Sequence, residues 1–199
     1  MQNTWDERYS TPDYIYGREP NLYFKAFIDS QTPGRIFLPG EGEGRNAVYA
    51  ARKGWTVDAA DQSANARDKA LKLAAEAGVT IHYEVGDLLQ MPLPANTYDA
   101  IALIYLHKTP EQRQLFYPNL LRALKPGGKL VLEAFNKRQI ANNTGGPKDL
   151  DMLFSKGELR ELFRDLVIVE LEEQEQWLEE GLLHVGKADT VRLLALKKP

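Results

Sequence analysis

Residues 35–61 read RIFLPGEGEGRNAVYAARKGWTVDAAD, and this stretch decides the fold. A short apolar strand runs into a glycine-rich turn, a helix follows from Asn46 to Arg52, and a second strand ends on Asp61. This order of strand, turn, helix and strand is typical of the first βαβ unit in a nucleotide-binding α/β fold. The chemistry is therefore expected around the glycine turn.

The glycines of the turn predict a ligand that comes close to the backbone. Gly40, Gly42 and Gly44 alternate with other residues, and each can take a positive φ without the steric cost of a Cβ. Asp61 ends the second strand, where an acid hydrogen-bonds the ribose hydroxyls in folds of this kind. We therefore expect a ligand that carries a ribose.

Two glutamates in the turn, Glu41 and Glu43, indicate which ribose ligand fits. At about 5 Å and an effective dielectric constant of about 20, each carboxylate would repel a diphosphate by about 3 kcal/mol. S-adenosyl-L-methionine has no phosphate, and its sulfonium and ammonium groups are cations. The spacing agrees, because Arg45 stands where G-x-G-x-x-G requires a third glycine. Alternatively, acids near a helix start face water and suit the helix dipole, which fits Glu43 better than Glu41.

Further motifs follow in order along the chain. They are Gly86-Asp87-Leu88, Tyr98-Asp99-Ala100-Ile101 and Leu124-Lys125-Pro126-Gly127-Gly128-Lys129-Leu130. With the glycine turn and Asp61, these motifs resemble those of class I S-adenosylmethionine-dependent methyltransferases over nearly the whole chain. The small bacterial tellurite-resistance-like group is the most similar. Those enzymes usually carry an acid where this chain has Leu38, and Glu41 is the candidate to replace its contact with the methionine end of the cofactor.

The resemblance implies a Rossmann-like α/β fold with a seven-stranded, mostly parallel sheet, helices on both faces and an antiparallel final strand. The 199 residues, 43% hydrophobic and 27% charged, fit a single domain. Within residues 1–199 we expect an N-terminal helical lid over 1–30, a cofactor-binding core over 34–135, and a substrate loop, last helix and C-terminal strands over 136–199. Alternatively, the aromatic residues of the first segment only cover a sheet edge.

The predicted cofactor contacts come mostly from the ends of strands. They comprise Gly40, Glu41, Gly42, Gly44, Asp61, Gln62, Asp87, Leu88, Leu103, Ile104 and, from the lid, Tyr16. In the family, the acid at Asp87 accepts a hydrogen bond from the adenine amino group and the amide at Leu88 meets a ring nitrogen. The resemblance also implies that Leu103 and Ile104 act through backbone carbonyls near the methionine ammonium.

Catalysis of methyl transfer depends mainly on alignment and exclusion of water, and a base is needed only if the attacking atom starts protonated. His107 follows the fourth strand at the expected ligand edge, and imidazole titrates near neutrality, so His107 is the candidate base. Alternatively, His107 precedes a helix and only hydrogen-bonds a loop. Tyr105, Tyr14 and His184 are the candidate substrate contacts. The three histidines lie in separate segments, so no metal site is expected.

Composition narrows the functional classes. Cysteine is absent, which excludes thiol nucleophiles and disulfides, and a net charge of −3 without a basic stripe argues against nucleic acid. Without a signal core or a long apolar run, we expect a cytoplasmic monomer or homodimer with no membrane contact.

The expected activity is methyl transfer from S-adenosyl-L-methionine to a small-molecule nucleophile, leaving S-adenosyl-L-homocysteine. A small acceptor is expected because no large appended domain is expected to hold a macromolecule. The attacking atom would be oxygen, nitrogen or sulfur, or would belong to a metalloid oxyanion. The alternatives are a nicotinamide-dinucleotide oxidoreductase and a non-catalytic S-adenosylmethionine-binding protein.

Overall fold

The computed structural model describes residues 3–199, so Met1 and Gln2 of the predicted lid lie outside the described part. The chain divides into two compact units. The first extends to Met91 and also includes Glu180–Leu183, and the second comprises Pro92–Glu179 and His184–Pro199. The assignment of residues 1–199 to a single domain stays a prediction.

The first unit contains the βαβ unit expected from the glycine turn. Its elements are α1 (Asn3–Arg8), α2 (Leu22–Asp29), β1 (Arg35–Pro39), α3 (Arg45–Arg52), β2 (Thr56–Asp61), α4 (Ala64–Glu76) and β3 (His82–Val85). Strand β1 is parallel to β2, with Phe37 opposite Asp58, and β2 is parallel to β3. Apolar β1 residues such as Ile36 and Leu38 are fully buried, as expected for a strand covered on both faces.

The second unit is built on a mixed set of strands. Its elements are β4 (Tyr98–Ile104), α5 (Pro110–Ala123), β5 (Leu124–Phe135), a 3₁₀ helix (Lys137–Ala141), α6 (Lys156–Leu162), β6 (Leu166–Glu180) and β7 (His184–Lys197). Strand β5 runs parallel to β4 and antiparallel to β7, with Leu132 opposite Leu193. Capping boxes begin α5 at Thr109 and α6 at Ser155.

The seven strands form a sheet in the order β3-β2-β1-β4-β5-β7-β6. This order, with helices between the parallel strands and an antiparallel β7, confirms the predicted Rossmann-like α/β fold class. None of the helices in residues 3–199 has the length and apolarity needed to cross a bilayer.

Two stretches of the second unit are strand in spite of a loop-like composition. Residues 125–128 form a turn-like irregularity inside β5: Tyr98 pairs with Leu124 and Ala100 with Lys129, and Gly127 takes a φ of 74°. The acidic residues 172–180 lie within β6. β6 and β7 extend to Glu180 and from His184, so only three residues connect them.

Candidate functional site

In the first unit, the glycine turn is tied to the end of β2. The amides of Gly40 and Glu41 donate to the carbonyl of Ala60 over 2.7 and 3.2 Å. The carboxylate of Asp61 accepts from the amide of Gly42 at 3.2 Å through Oδ2 and from Ser63 at 3.0 Å through Oδ1. These bonds fix the carboxylate of Asp61 beside the glycine turn at the end of β2.

Gly42 lies between two tyrosines and has no room for a side chain. Its carbonyl accepts from the Tyr83 hydroxyl at 2.6 Å, and a Cβ would lie 2.9 Å from the Tyr9 hydroxyl oxygen. Burial, together with the charge of Asp61, raises the pKa of both tyrosines well above the usual value, so both hydroxyls stay protonated. Contacts within the first unit therefore fix the turn.

Glu41 caps the helix that follows the turn. The N-cap of α3 is Gly44, which has no side chain, and Glu41 accepts instead from the amide of Ala47 at 2.7 Å. Loss of hydration raises the pKa of Glu41 to about 7, although that hydrogen bond and the charge of Arg45 act in the opposite direction. Glu41 is therefore a carboxyl group that would bind a cation more strongly after losing its proton. Its contact with a cofactor stays a prediction.

The alternative interpretation placed Glu43 in contact with water, but the structure buries its side chain. Its side chain is 3% exposed, and Oε1 lies 2.7 Å from the ammonium of Lys69 on α4. Oε2 accepts from the amides of Ile15 and Tyr16 at 2.8 and 3.4 Å. Glu43 therefore ties the N-terminal segment to the glycine turn.

The predicted lid residues Tyr16 and Tyr14 differ in their surroundings. Tyr16 is half-buried, accepts from Arg8 Nη1 at 3.1 Å and packs edge-on against Tyr9. Tyr14 donates to the carbonyl of Lys69 at 3.1 Å, so it anchors the segment on α4. The cofactor role of Tyr16 and the substrate role of Tyr14 both stay predictions.

The remaining first-unit candidates are Gln62, Asp87 and Leu88. Gln62 is exposed directly after Asp61, whereas Leu88 is buried. The exposed carboxylate of Asp87 accepts from the amide of Leu89 at 3.0 Å and from Gln90 Nε2 at 3.2 Å. Asp87 thus shapes the loop after β3, and its predicted contact with adenine is untested.

In the second unit, aromatic rings gather after the end of β4. Leu103 is buried and Ile104 is partly buried at the strand end, and Tyr105 follows with a φ of 51°, a left-handed conformation that is rare for a bulky residue. The Tyr105 ring stacks on Phe135 at 4.7 Å and meets the ring of His184 edge-on at 4.8 Å. The structure thus brings together two of the three predicted substrate residues.

A buried carboxylate supports this aromatic cluster. Glu133 on β5 is 1% exposed, and its Oε1 accepts from the Tyr105 hydroxyl at 2.8 Å. Arg192 on β7 pairs with Glu133 at 2.6 Å, and Gln176 on β6 donates to it at 2.8 Å. Because the charge of Glu133 is paired and hydrogen-bonded, Tyr105 is held firmly in its unusual conformation.

Both ring nitrogens of His107 contact the backbone. Nδ1 lies 3.0 Å from the carbonyl oxygen of Met152, which can only accept, and Nε2 faces the amide of Phe135 at 3.4 Å. Burial lowers the pKa of His107 to about 4, with Arg113 adding to the decrease. This geometry favours the alternative in which His107 holds a loop. Its catalytic role stays a prediction.

A cavity in the second unit has a volume of about 860 Å³. It lies along α5, the end of α6 and the end of β7, and none of the predicted site residues lines it. Among the described residues, no group of three or more His, Asp and Glu side chains could hold a metal ion.

The sequence prediction missed Tyr83 and Glu133. The alternation of β3 already indicated that Tyr83 faces inward, but not that its hydroxyl reaches Gly42. Glu133 lies within an apolar run, and a charged residue there was the available signal.

Comparisons with known proteins indicate a methyltransferase. Residues 38–128, which contain the glycine turn, Asp61, Asp87 and the end of β4, match the family described as "Methyltransferase domain". A stretch of 75 residues is 33% identical to the ubiquinone/menaquinone biosynthesis C-methyltransferase UbiE of Saccharophagus degradans. It covers 38% of this chain and 29% of that protein, so the chain matches less than a third of this relative's length.

Solved structures share the fold over the whole chain. A structure described as "Conversion of a Disulfide Bond into a Thioacetal Group during Echinomycin Biosynthesis" has a TM-score of 0.81 at 18% identity, covering 100% of this chain and 92% of the other. TehB from Haemophilus influenzae has a TM-score of 0.75 at 18% identity, covering 99% and 67%. At these identities the likeness establishes the fold, and the activity requires a separate argument.

Proposed function

We propose that this chain, which belongs to the class I S-adenosyl-L-methionine-dependent methyltransferases, transfers a methyl group from that cofactor to a small-molecule nucleophile. The family match supports the reaction class. The observation that carries the proposal is the contact between Asp61 and the amide of Gly42, which joins the acid and the glycine turn in one ligand-binding surface.

The residues of the first unit fit this cofactor. Asp61 is the proposed acceptor for the ribose hydroxyls, and Glu41 offers a carboxyl group to the cationic methionine end. Asp87 and Leu88 are proposed to hold the adenine, and Tyr16 to cover the cofactor. When bound, the cofactor supplies an electrophilic methyl group on a sulfonium.

The aromatic cluster of the second unit, Tyr105, Phe135 and His184, is the proposed substrate wall. Its rings offer apolar contact, and the Tyr105 hydroxyl is oriented by Glu133. We propose that the wall positions a small acceptor whose attacking atom is O, N, S or that of a metalloid oxyanion. The contacts of His107 favour catalysis by positioning, which suits an acceptor that is already ionised.

Calorimetry followed by an acceptor panel tests this function. We expect S-adenosyl-L-homocysteine to bind and NAD to give no heat, and then expect at least one thiol, phenol, amine or oxyanion to yield methylated product by mass spectrometry. Binding of NAD without S-adenosyl-L-homocysteine would instead support an oxidoreductase. If S-adenosyl-L-homocysteine binds but no acceptor in the panel is methylated, the non-catalytic alternative is favoured.

A further inference from the structure

The tip of the C-terminal hairpin, Glu180–Leu183, belongs to the first unit although its two strands belong to the second. We infer that this tip is a positioning element of the cofactor site and that Glu180 acts through Arg45 on the glycine turn and on Tyr16. The inference rests on the proposed function, because it assigns the tip to the same cofactor site.

Glu180 is bound to the start of α3 by a buried ion pair. Its Oε2 lies 2.9 Å from Nη2 of Arg45, and the two side chains are 11% and 8% exposed. Nη1 of the same arginine donates to the carbonyl of Tyr16 at 3.0 Å. One guanidinium therefore joins the hairpin tip, the first turn of α3 and the backbone of Tyr16.

A second hydrogen bond fixes the other carboxylate oxygen. Oε1 of Glu180 accepts from the side-chain amide of Asn21 at 3.1 Å, and the backbone amide of Asn21 donates to Asn46 Oδ1 at 2.9 Å. Asn21 is itself 1% exposed. Both oxygens of Glu180 are thus directed toward groups that contact α3, next to the glycine turn.

The backbone of the tip also contacts the N-terminal segment directly. The amide of Leu182 donates to the carbonyl of Ile15 at 2.7 Å. Gly181 has a φ of 64°, and a Cβ there would lie 2.3 Å from the nitrogen of Gly17 and 2.4 Å from the oxygen of Ile15. Only glycine permits this approach.

Residues 15–17 are consequently held from two sides. Glu43 of the glycine turn accepts from the amides of Ile15 and Tyr16, while the tip binds the carbonyl of Ile15 and, through Arg45, the carbonyl of Tyr16. The predicted lid is therefore fixed by the turn and by the tip together. Loss of the Glu180 charge would leave Arg45 buried without its ion pair and would loosen the hydrogen bond from Arg45 to the Tyr16 carbonyl.

The test is the affinity for S-adenosyl-L-homocysteine, measured by calorimetry on Glu180→Gln and on the exposed neighbour Glu179→Gln. We expect the dissociation constant to rise about tenfold or more in Glu180→Gln, within the coupling range of contacting groups, and to stay unchanged in Glu179→Gln. Arg45→Met combined with Glu180→Gln should bind no more weakly than Arg45→Met alone, because Glu180 acts through that arginine. A dissociation constant for Glu180→Gln within twofold of the wild type would overturn the inference.

A hydrogen-exchange measurement separates positioning from simple stability. In the wild type, bound S-adenosyl-L-homocysteine should slow exchange in peptides covering residues 12–20, and in folded Glu180→Gln that protection should be lost. A purely stabilising tip would lower the unfolding temperature of the ligand-free variant and leave ligand-induced protection intact, which would also refute the inference. If the wild type failed to bind, the proposed function itself would be wrong and the inference would fall with it.

Discussion

The carboxylate of Glu43 lies 2.7 Å from the ammonium of Lys69, and both side chains are largely buried. This ion pair joins the glycine turn to α4, and the same carboxylate accepts from the amides of Ile15 and Tyr16. The negative charge of Glu43 is therefore compensated within the protein and is not available to select a ligand.

Replacing Glu43 by glutamine should destabilise the protein. The change leaves the Lys69 ammonium buried without its partner, and breaking such a pair costs about 3 kcal/mol or more. Urea unfolding would measure this loss in the free energy of unfolding. The matched control is Glu161→Gln, which breaks a pair with Arg164 that is about 70% exposed and should have no measurable effect. Equal stabilities for the two variants would contradict the buried pairing.

Glu41 should release a proton when the cofactor binds. Its pKa is raised to about 7, and contact with a cationic methionine end would lower it, so at pH 7 about half a proton leaves per binding event. Affinity for S-adenosyl-L-homocysteine should accordingly increase from pH 5.5 to pH 8 and then level off. Calorimetry in buffers of different ionisation enthalpy measures the proton directly. Glu41→Gln should abolish both effects, and their persistence would exclude Glu41 as the source.

Asp61→Ala should weaken cofactor binding by about 1–3 kcal/mol, because the ribose loses its acceptor and the Gly42 amide loses its partner. The control is Asp58→Asn, three residues earlier in β2, where the carboxylate pairs with Arg35 at 2.6 Å. That variant should change stability but not affinity. Unaltered affinity in the Asp61 variant would refute its predicted role.

Gly44→Ala and Gly78→Ala separate crowding from backbone strain. Both glycines have positive φ, but a Cβ at Gly44 would lie 2.6 Å from the Cβ of Ala70, whereas nothing lies within 4 Å at Gly78. We expect a loss of about 1 kcal/mol at Gly78 and about 3 kcal/mol at Gly44, where overpacking adds to strain. Thermal unfolding would rank them, and a reversed order would show that α3 and α4 tolerate more separation than their contact suggests.

His107→Ala should reduce turnover and leave the affinity for S-adenosyl-L-homocysteine nearly intact. With a pKa of about 4, His107 is neutral near physiological pH. The pH dependence of the wild-type turnover rate should therefore show no inflection near pH 6.5 from this residue. The expected cause is release of the loop at Met152, visible as faster hydrogen exchange in residues 142–153. His82→Ala, at an exposed histidine of β3, is the control. Full activity in the His107 variant would remove it from the site.

The fold was predictable where its signals are local. The glycine turn between β1 and α3 is determined by neighbouring residues, and the structure has it where expected. The acidic residues of β6 up to Glu180 are typical of a loop, and it is their pairing with β7, across a three-residue connection, that makes them a strand.

The charge argument drawn from Glu41 and Glu43 does not hold, because distant partners and burial change the character of both side chains. The argument that Glu41 and Glu43 would both repel a diphosphate treated them as free charges. Lys69, 26 residues beyond Glu43, neutralises one, and burial brings the pKa of the other to about 7. The choice of cofactor therefore rests on the family match and on Asp61 rather than on that repulsion.

The position of the hairpin tip has a consequence for biosynthesis. The ion pair that completes the start of α3 joins residues 135 positions apart, so a nascent chain with its first ninety residues outside the ribosome still lacks the partner of Arg45. Contacts of such long sequence separation form late and slow folding. Truncation just before Glu180 would accordingly leave the Arg45 guanidinium without its carboxylate partner, and incompletely folded chains of this kind are prone to aggregation.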